Sequence, residues 1–293
     1  VLALYLYWRA HILGAALHVG TEYFAGLGWP EVPLTMARFF WRGWVWGSAT
    51  GLGLCADWSR PDFPDSAPGD PLGWACLSAA AAFAVWALRG ALWRRDKAAL
   101  GALVFLGLAA PMSNLLAAME IVGAERTMYL PSLGLCLAAA ALWDRLPLGR
   151  ARNAAAAAAL AWWGGLTAAR ARVWGSERTL WEGTAACAPG NPRALTGLAM
   201  VRAGQNRREE AREFLRRAFA ADPDAGAAAF NLALLSFEDG APGSADAILA
   251  AFEASHQPGD ARFAALRGRI AEESGCEEDA VAHYRRAVAL DPL

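Results

Sequence analysis

The sequence predicts an all-α chain in two parts: a polytopic bundle of membrane helices over residues 1–172 and a helical solenoid over residues 173–293. Three observations predict it. Of the 293 residues, 56% are hydrophobic and only 19% are charged, whereas soluble chains carry about a quarter charged residues. Residues 1–172 hold 14 Lys and Arg against 10 Asp and Glu, a net of +4, while residues 173–293 hold 13 against 18, a net of −5. Two solvents are implied. Finally, Pro189, Pro223, Pro258 and Pro292 recur at intervals of 34, 35 and 34, the period of a repeat made of two antiparallel helices. The overall charge of −1, with no basic run longer than the cluster Arg94, Arg95 and Lys97, excludes a strongly basic nucleic-acid binder, so no nucleic-acid partner is expected.

A spanning helix needs about 20 apolar residues. Residues 72–93, with Arg89 near the end, and residues 98–118, with no charge, fit best. Residues 128–143 are short and contain Pro131, and residues 153–169 are half alanine, but Trp143, Trp162 and Trp163 stand at positions suited to the headgroup layer. Twelve of the 14 tryptophans lie in this first part. Residues 37–54 contain Arg38 and Arg42, each costing about 2.5–3.5 kcal/mol at a bilayer centre, so an interfacial or re-entrant element is expected there. Residues 1–17 read as the end of another span. The chain opens on Val1 inside an apolar run and stops directly after a repeat, as a piece of a longer chain would.

Loop charges give an orientation. Residues 94–97 and 144–152 carry the arginines and are expected in the cytoplasm; residues 57–70, 120–126 and everything after 169 are then outside, with Arg170 and Arg172 pulling against the last assignment.

In the second part, Leu198, Leu232 and Leu266 keep the same beat of 34, and residues 210–223 align with residues 279–292 at an offset of 69. Small residues such as Ala211, Ala245 and Ala280 let paired helices approach, and proline helps end the second helix of each pair. First helices are expected at 191–204, 224–239 and 259–274, and second helices at 207–221, 243–256 and 277–290. Such tetratricopeptide-type arrays are binding scaffolds, and the first helices line their concave side. Arg193, Met200, Asn231, Phe263 and Arg267 are the candidate groove residues.

The five cysteines are scattered without a CxxC pair and read as small buried hydrophobes. His11, His18, His256 and His283 lack metal-ligand spacing, so no metal is expected. There is no Gly-rich phosphate loop, GxSxG elbow or HExxH motif. Ser113 and Asn114, just after Pro111, are placed to satisfy backbone groups freed by the proline.

Three stretches carry a family resemblance: PMSNLLAAMEIVGAERTMYLPSLGLC (residues 111–136), LCADWS (residues 54–59) and the repeats that follow the last apolar segment. Together they resemble the transmembrane and tetratricopeptide-repeat-containing protein O-mannosyltransferases. The most specific element is AERTMYLPSLG (residues 124–134), in which Glu125, Arg126, Tyr129, Pro131 and Ser132 match the family pattern. The resemblance implies a membrane glycosyltransferase of the C-type (GT-C-like) fold. Its donor would be a polyprenyl-phosphate sugar, namely dolichyl phosphate mannose, its acceptor Ser or Thr of a secretory or membrane protein recruited by the repeats, and its surroundings membrane lipid. No further cofactor is implied. It also implies that the general base is an acidic residue in a first outer loop, expected upstream of Val1, so the catalytic residue stays unassigned. The compartment implied is the endoplasmic reticulum membrane with a lumenal repeat domain, or a bacterial inner membrane with a periplasmic one.

From the residues themselves, Glu125–Arg126 is either an interfacial ion pair ending a helix or a donor site in which the guanidinium grips the lipid phosphate. Tyr129 belongs to the same candidate site. Asp57 beside Trp58 is either a turn residue next to a headgroup anchor or a further donor contact. Two rival functions stay open: a membrane-tethered repeat scaffold without transferase activity, and a bacterial lipid-linked glycan ligase or polymerase.

Overall fold

The computed structural model describes residues 28–59, 61–115, 122–147, 149–255 and 260–291. Among these the protein is all-α, with one isolated antiparallel bridge between Trp58 and Gly123. The chain divides into two compact units, Val1–Gly175 and Ser176–Leu293.

In the first unit, α1 (Glu31–Phe39) continues through a π-helical segment, Phe40–Trp46, into a short turn, Gly47–Thr50, closed by Gly51 in the left-handed region. Then come α2 (Pro71–Leu92), α3 (Lys97–Ala109), α4 (Ser132–Trp143) and α5 (Arg150–Val173). Asp70 caps α2 through Leu72 N–H, with Pro71 at the first helical position, where its missing N–H costs nothing. Asp96 caps α3 the same way through Ala98 and Ala99. The Arg145 guanidinium, 2.6 Å from Asp96 Oδ1, holds that carboxyl below its ordinary range with help from the Ala98 amide. This ion pair brings Asp96 and Arg145, one from each arginine-bearing loop, together.

Among the described residues one helix, α2, is long and apolar enough to cross a membrane, and its Leu72, Trp74, Val85, Trp86, Leu88 and Leu92 are exposed. The other expected spans come out differently. At Pro111 the segment beginning with α3 tightens into a 3-10 turn, Ala110–Met112, so the apolar helix covers only Lys97–Met112. Pro131 delays α4 to Ser132, giving 12 residues, about 18 Å at 1.5 Å per residue against a hydrocarbon core of about 30 Å. Helix α5 has 24 residues, but its alanines and the arginines at both ends keep it below the apolarity of a span. Residues 1–17 lie outside the described residues. The element expected at 37–54 is an interrupted helix whose Phe39, Phe40 and Trp44 are buried and whose Trp41 indole donates to Cys76 O, 3.0 Å away, in α2.

In the second unit, α6 (Glu177–Cys187) leads into three hairpins: α7 (Pro192–Gly204) with α8 (Arg208–Ala221), α9 (Gly226–Glu238) with α10 (Pro242–Ser255), and α11 (Ala261–Glu273) with α12 (Glu277–Leu290). All six hairpin helices begin and end within two residues of the limits expected from the 34-residue beat. Ala211, Ala245 and Ala280 are buried where paired helices meet. One apolar core joins Leu195, Leu215 and Leu235, and the next joins Phe237, Leu249, Phe263 and Leu266. Consecutive first helices, α7 with α9 and α9 with α11, touch each other, as a stacked array requires. Helix α6 has no counterpart in the sequence reading. Its Trp181 indole lies where a Cβ on Gly197 would fall 2.4 Å away, so only glycine fits there in α7.

Three cysteines, Cys76, Cys136 and Cys276, are free thiols, and the last two are exposed, against the expectation that they fill a core.

Candidate functional site

The two stretches that carry the motifs, 54–59 and 122–136, meet in the first unit. Trp58 N–H donates to Gly123 O (2.8 Å), Val122 N–H donates to Trp58 O (3.2 Å) and Glu125 N–H donates to Cys55 O (3.1 Å). The buried Phe39 ring fixes this junction from below, standing edge-on to Trp44, Trp58 and Phe63 at centroid distances of 6.0, 6.4 and 5.4 Å. Any Cβ at Gly123 would come within 2.2 Å of that ring, and one at Gly43 within 2.6 Å. Glycine is therefore required at both positions. Asn114 donates from Nδ2 to Val122 O at 3.2 Å, and the Ser113 hydroxyl donates to Ala110 O at 2.6 Å, so Asn114 ties down the motif stretch instead of a carbonyl that Pro111 frees, and Ser113 closes its own turn.

A shallow cleft opens at this junction, lined by Phe39, Gly43, Trp44, Gly53, Leu54, Cys55, Trp58, Ala124, Glu125 and Met128. Glu125 opens a 3-10 turn, Glu125–Met128. Its carboxylate does not pair with its neighbour Arg126. Instead Arg170 Nε, in the last turn of α5, donates to both oxygens at 2.9 and 2.7 Å, and the Trp174 indole donates to Oε1. Side-chain exposures of 11% for Glu125 and 22% for Arg170 make this a largely desolvated clamp. A cationic side chain in the last turn also meets the negative end of the helix dipole.

Arg126 is left exposed, and among the described residues it makes no ion pair. Tyr129 is 86% exposed, and Asp57 is buried at 4%. Arg126 and Tyr129 are thus available to a ligand, while Glu125 is engaged and Asp57 is enclosed in the protein. The reading of Glu125–Arg126 as an ion pair is replaced by the pair Glu125–Arg170. Sequence reasoning missed Arg170 and Trp174 because they lie 45 and 49 residues from Glu125; the arginines that break the apolar pattern at the end of α5 were the available signal.

On the near side of the cleft two arginines one helical turn apart differ in their company. Arg38 donates from Nη1 to Ser66 Oγ and Asp70 Oδ2, both at 3.2 Å. Gly73 N–H, Ser66 Oγ–H, Leu72 N–H and the Arg38 charge hold the Asp70 carboxyl below its ordinary range. Arg42 instead lies over the faces of Trp58 and Phe63, 5.6 and 5.8 Å from their centroids.

The groove residues of the second unit also separate. Arg193 and Met200 are exposed and Asn231 is half-buried. Phe263 is 1% exposed, stacked on Phe230 at 5.9 Å and packed on Phe252 at 5.3 Å. It belongs to the core because α9 and α10 both close over it. Arg267 is turned toward α10, paired with Glu253 at 2.7 Å and Asp246 at 3.1 Å. Neither of these two lines an open groove.

No family model matches the chain, and no curated protein matches it. Among solved structures, the crystal structure of MamA is similar over 40% of this chain and 69% of its own, with 19% identity and a TM-score of 0.35.

Proposed function

We propose that the chain is part of a membrane glycosyltransferase that moves mannose from a polyprenyl phosphate, of the dolichyl type, to Ser or Thr of secretory or membrane proteins. In this reading the first unit sits in the endoplasmic reticulum membrane, or a bacterial inner membrane, as part of a polytopic GT-C-like bundle. The observation that carries the proposal is the junction of residues 54–59 with residues 122–129. The motif stretches on which the family resemblance rests, 63 residues apart at their nearest, form one cleft, and beside it Arg126 meets no carboxylate among the described residues.

The chemistry follows from what a lipid phosphate needs. A planar guanidinium offers two parallel N–H donors to two phosphate oxygens, and in a region of low dielectric such charge-assisted bonds are stronger than at an open surface. The Arg170–Glu125–Trp174 clamp fixes the backbone from which Arg126 projects. Tyr129, whose ring is fully presented, supplies a face and a hydroxyl suited to the start of a prenyl chain or to a sugar. Exposed apolar side chains along α2 and at Leu130 and Leu133 continue the surface that a lipid tail needs. The second unit, as a tetratricopeptide-repeat array, recruits the acceptor and raises its local concentration without entering the chemical step. The general base is not assigned to this chain.

The test is mannosyl transfer from polyprenyl phosphate mannose, measured with the protein in membranes. Arg126→Ala is expected to lower donor kcat/KM at least a hundredfold, and Arg126→Lys to restore it only in part, because an ammonium cannot make the planar two-bond contact. Unchanged donor kinetics in a folded Arg126→Ala protein would refute the proposal.

A further inference from the structure

We infer that Arg42 is a second guanidinium ligand of the same lipid phosphate, held in position by Trp58 and Phe63; this rests on the function proposed above. Arg38 and Arg42 stand one turn apart on a helix that buries its aromatic side, and they share the Phe63 ring. Arg38 is satisfied by Asp70 and Ser66. Among the described residues Arg42 pairs with no carboxylate, and its side chain is exposed. Among the described residues its partners are two ring faces.

That arrangement has a chemical consequence. A ring under a guanidinium engages its π-face and leaves the in-plane N–H edge free, and that edge is the part that recognises an oxyanion. The aromatic contacts thus limit the freedom of a long side chain before any ligand arrives, lowering the ordering cost of binding. Trp58 lines the cleft together with Glu125, and so does Gly43, next in sequence to Arg42. Arg42 therefore sits on one lining residue, Trp58, and beside another, Gly43, as Arg126 stands beside the lining residue Glu125. Two cations suit the ligand's charge as it changes during transfer: the donor phosphate is a diester with one negative charge, and the polyprenyl phosphate released when the sugar C1–O bond breaks is a monoester with close to two at neutral pH, as other phosphomonoesters have. Membrane phosphatidylglycerol offers a phosphodiester of similar chemistry, but one that keeps its single charge and gains no second one for a paired site to hold.

The test uses the intact chain reconstituted in phosphatidylcholine vesicles and titrated with polyprenyl monophosphate, with tryptophan fluorescence as the readout. Arg42→Ala is expected to raise the Kd at least tenfold. Arg42→Lys, which keeps a cation over the rings and loses the fork, is expected to fall between. The melting temperatures of both variants serve as the fold control, and Arg42→Lys carries the test if Arg42→Ala fails to fold. An unchanged Kd in both variants, with Arg126→Ala still weakened, overturns the role of Arg42 and leaves the proposed function standing. A parent protein that does not bind polyprenyl monophosphate at all overturns both. Loss of binding in Arg42→Ala to vesicles containing phosphatidylglycerol, with affinity for polyprenyl monophosphate retained, makes Arg42 a headgroup anchor and also overturns the inference.

Discussion

Gly134→Val is expected to split the first unit by driving α3 and α4 apart. A Cβ at position 134 would stand 2.2 Å from Phe105 N and 2.6 Å from both Gly101 O and Phe105 Cα. Those are backbone atoms of the facing helix, so no side-chain rotation relieves the overlap. Reaching ordinary van der Waals contact requires the helices to separate by about 1 Å. The loss should be at least the 1–3 kcal/mol typical of overpacking, because Gly101 and Ala138 opposite lose their close approach as well. Small residues at such a crossing are what lets two apolar helices come close enough to gain dispersion contacts. Gly107→Ala on α3 is the control: a Cβ there meets nothing within 4 Å, and alanine gains up to about 1 kcal/mol over glycine inside a helix. Equilibrium unfolding of both variants in detergent distinguishes the positions. Equal stabilities would show that the α3–α4 contact is looser than described.

Arg170→Ala is expected to cost about 2–3 kcal/mol, somewhat less than the roughly 3–5 kcal/mol for breaking a fully buried ion pair, because both side chains keep some exposure. Without Arg170 the Glu125 carboxylate stays in a cleft with only the Trp174 indole as a side-chain donor, and the 3-10 turn bearing Arg126 loses its anchor. Glu125→Gln should cost less, since the amide oxygen can still accept from Arg170. The double variant should be less damaging than the sum of the two, with a coupling of about 1–3 kcal/mol by double-mutant cycle. Strict additivity would mean that the two groups do not sense each other. Donor kinetics should worsen in parallel with Arg126→Lys, because the same turn is misplaced.

The second unit was readable from the sequence because its information is local and repeated. A 34-residue beat fixes where helices pair, Asn191 and Asp260 cap α7 and α11 through their side chains, and Ala211, Ala245 and Ala280 mark the buried seams. What the beat does not fix is the rotation of each helix. Phe263 and Arg267 were therefore placed in a groove, whereas one lies in the core among three phenylalanines and the other is pinned to α10. The first unit was less readable. Hydropathy measures apolar length, not continuity, so the 3-10 turns at Pro111 and before Pro131 and the π-helical segment Phe40–Trp46 shorten or bend what read as uniform segments. The cleft itself was half legible. The motif residues were recognised, but the partner of Glu125 is tertiary, and whether Arg126 or Arg42 is neutralised depends on contacts across the fold. Nothing in the spacing of Arg38 and Arg42 says that one meets Asp70 and the other two aromatic faces.

Photocrosslinking tests the donor site most directly. A polyprenyl phosphate carrying a diazirine in the isoprene unit next to the phosphate, activated in membranes that contain the protein, should label peptides covering residues 54–59 and 122–129. Excess unlabelled polyprenyl phosphate should remove that label, and Arg126→Ala should diminish it. Label spread along the exposed face of α2, indifferent both to the competitor and to Arg126→Ala, would show that the cleft does not hold the lipid phosphate.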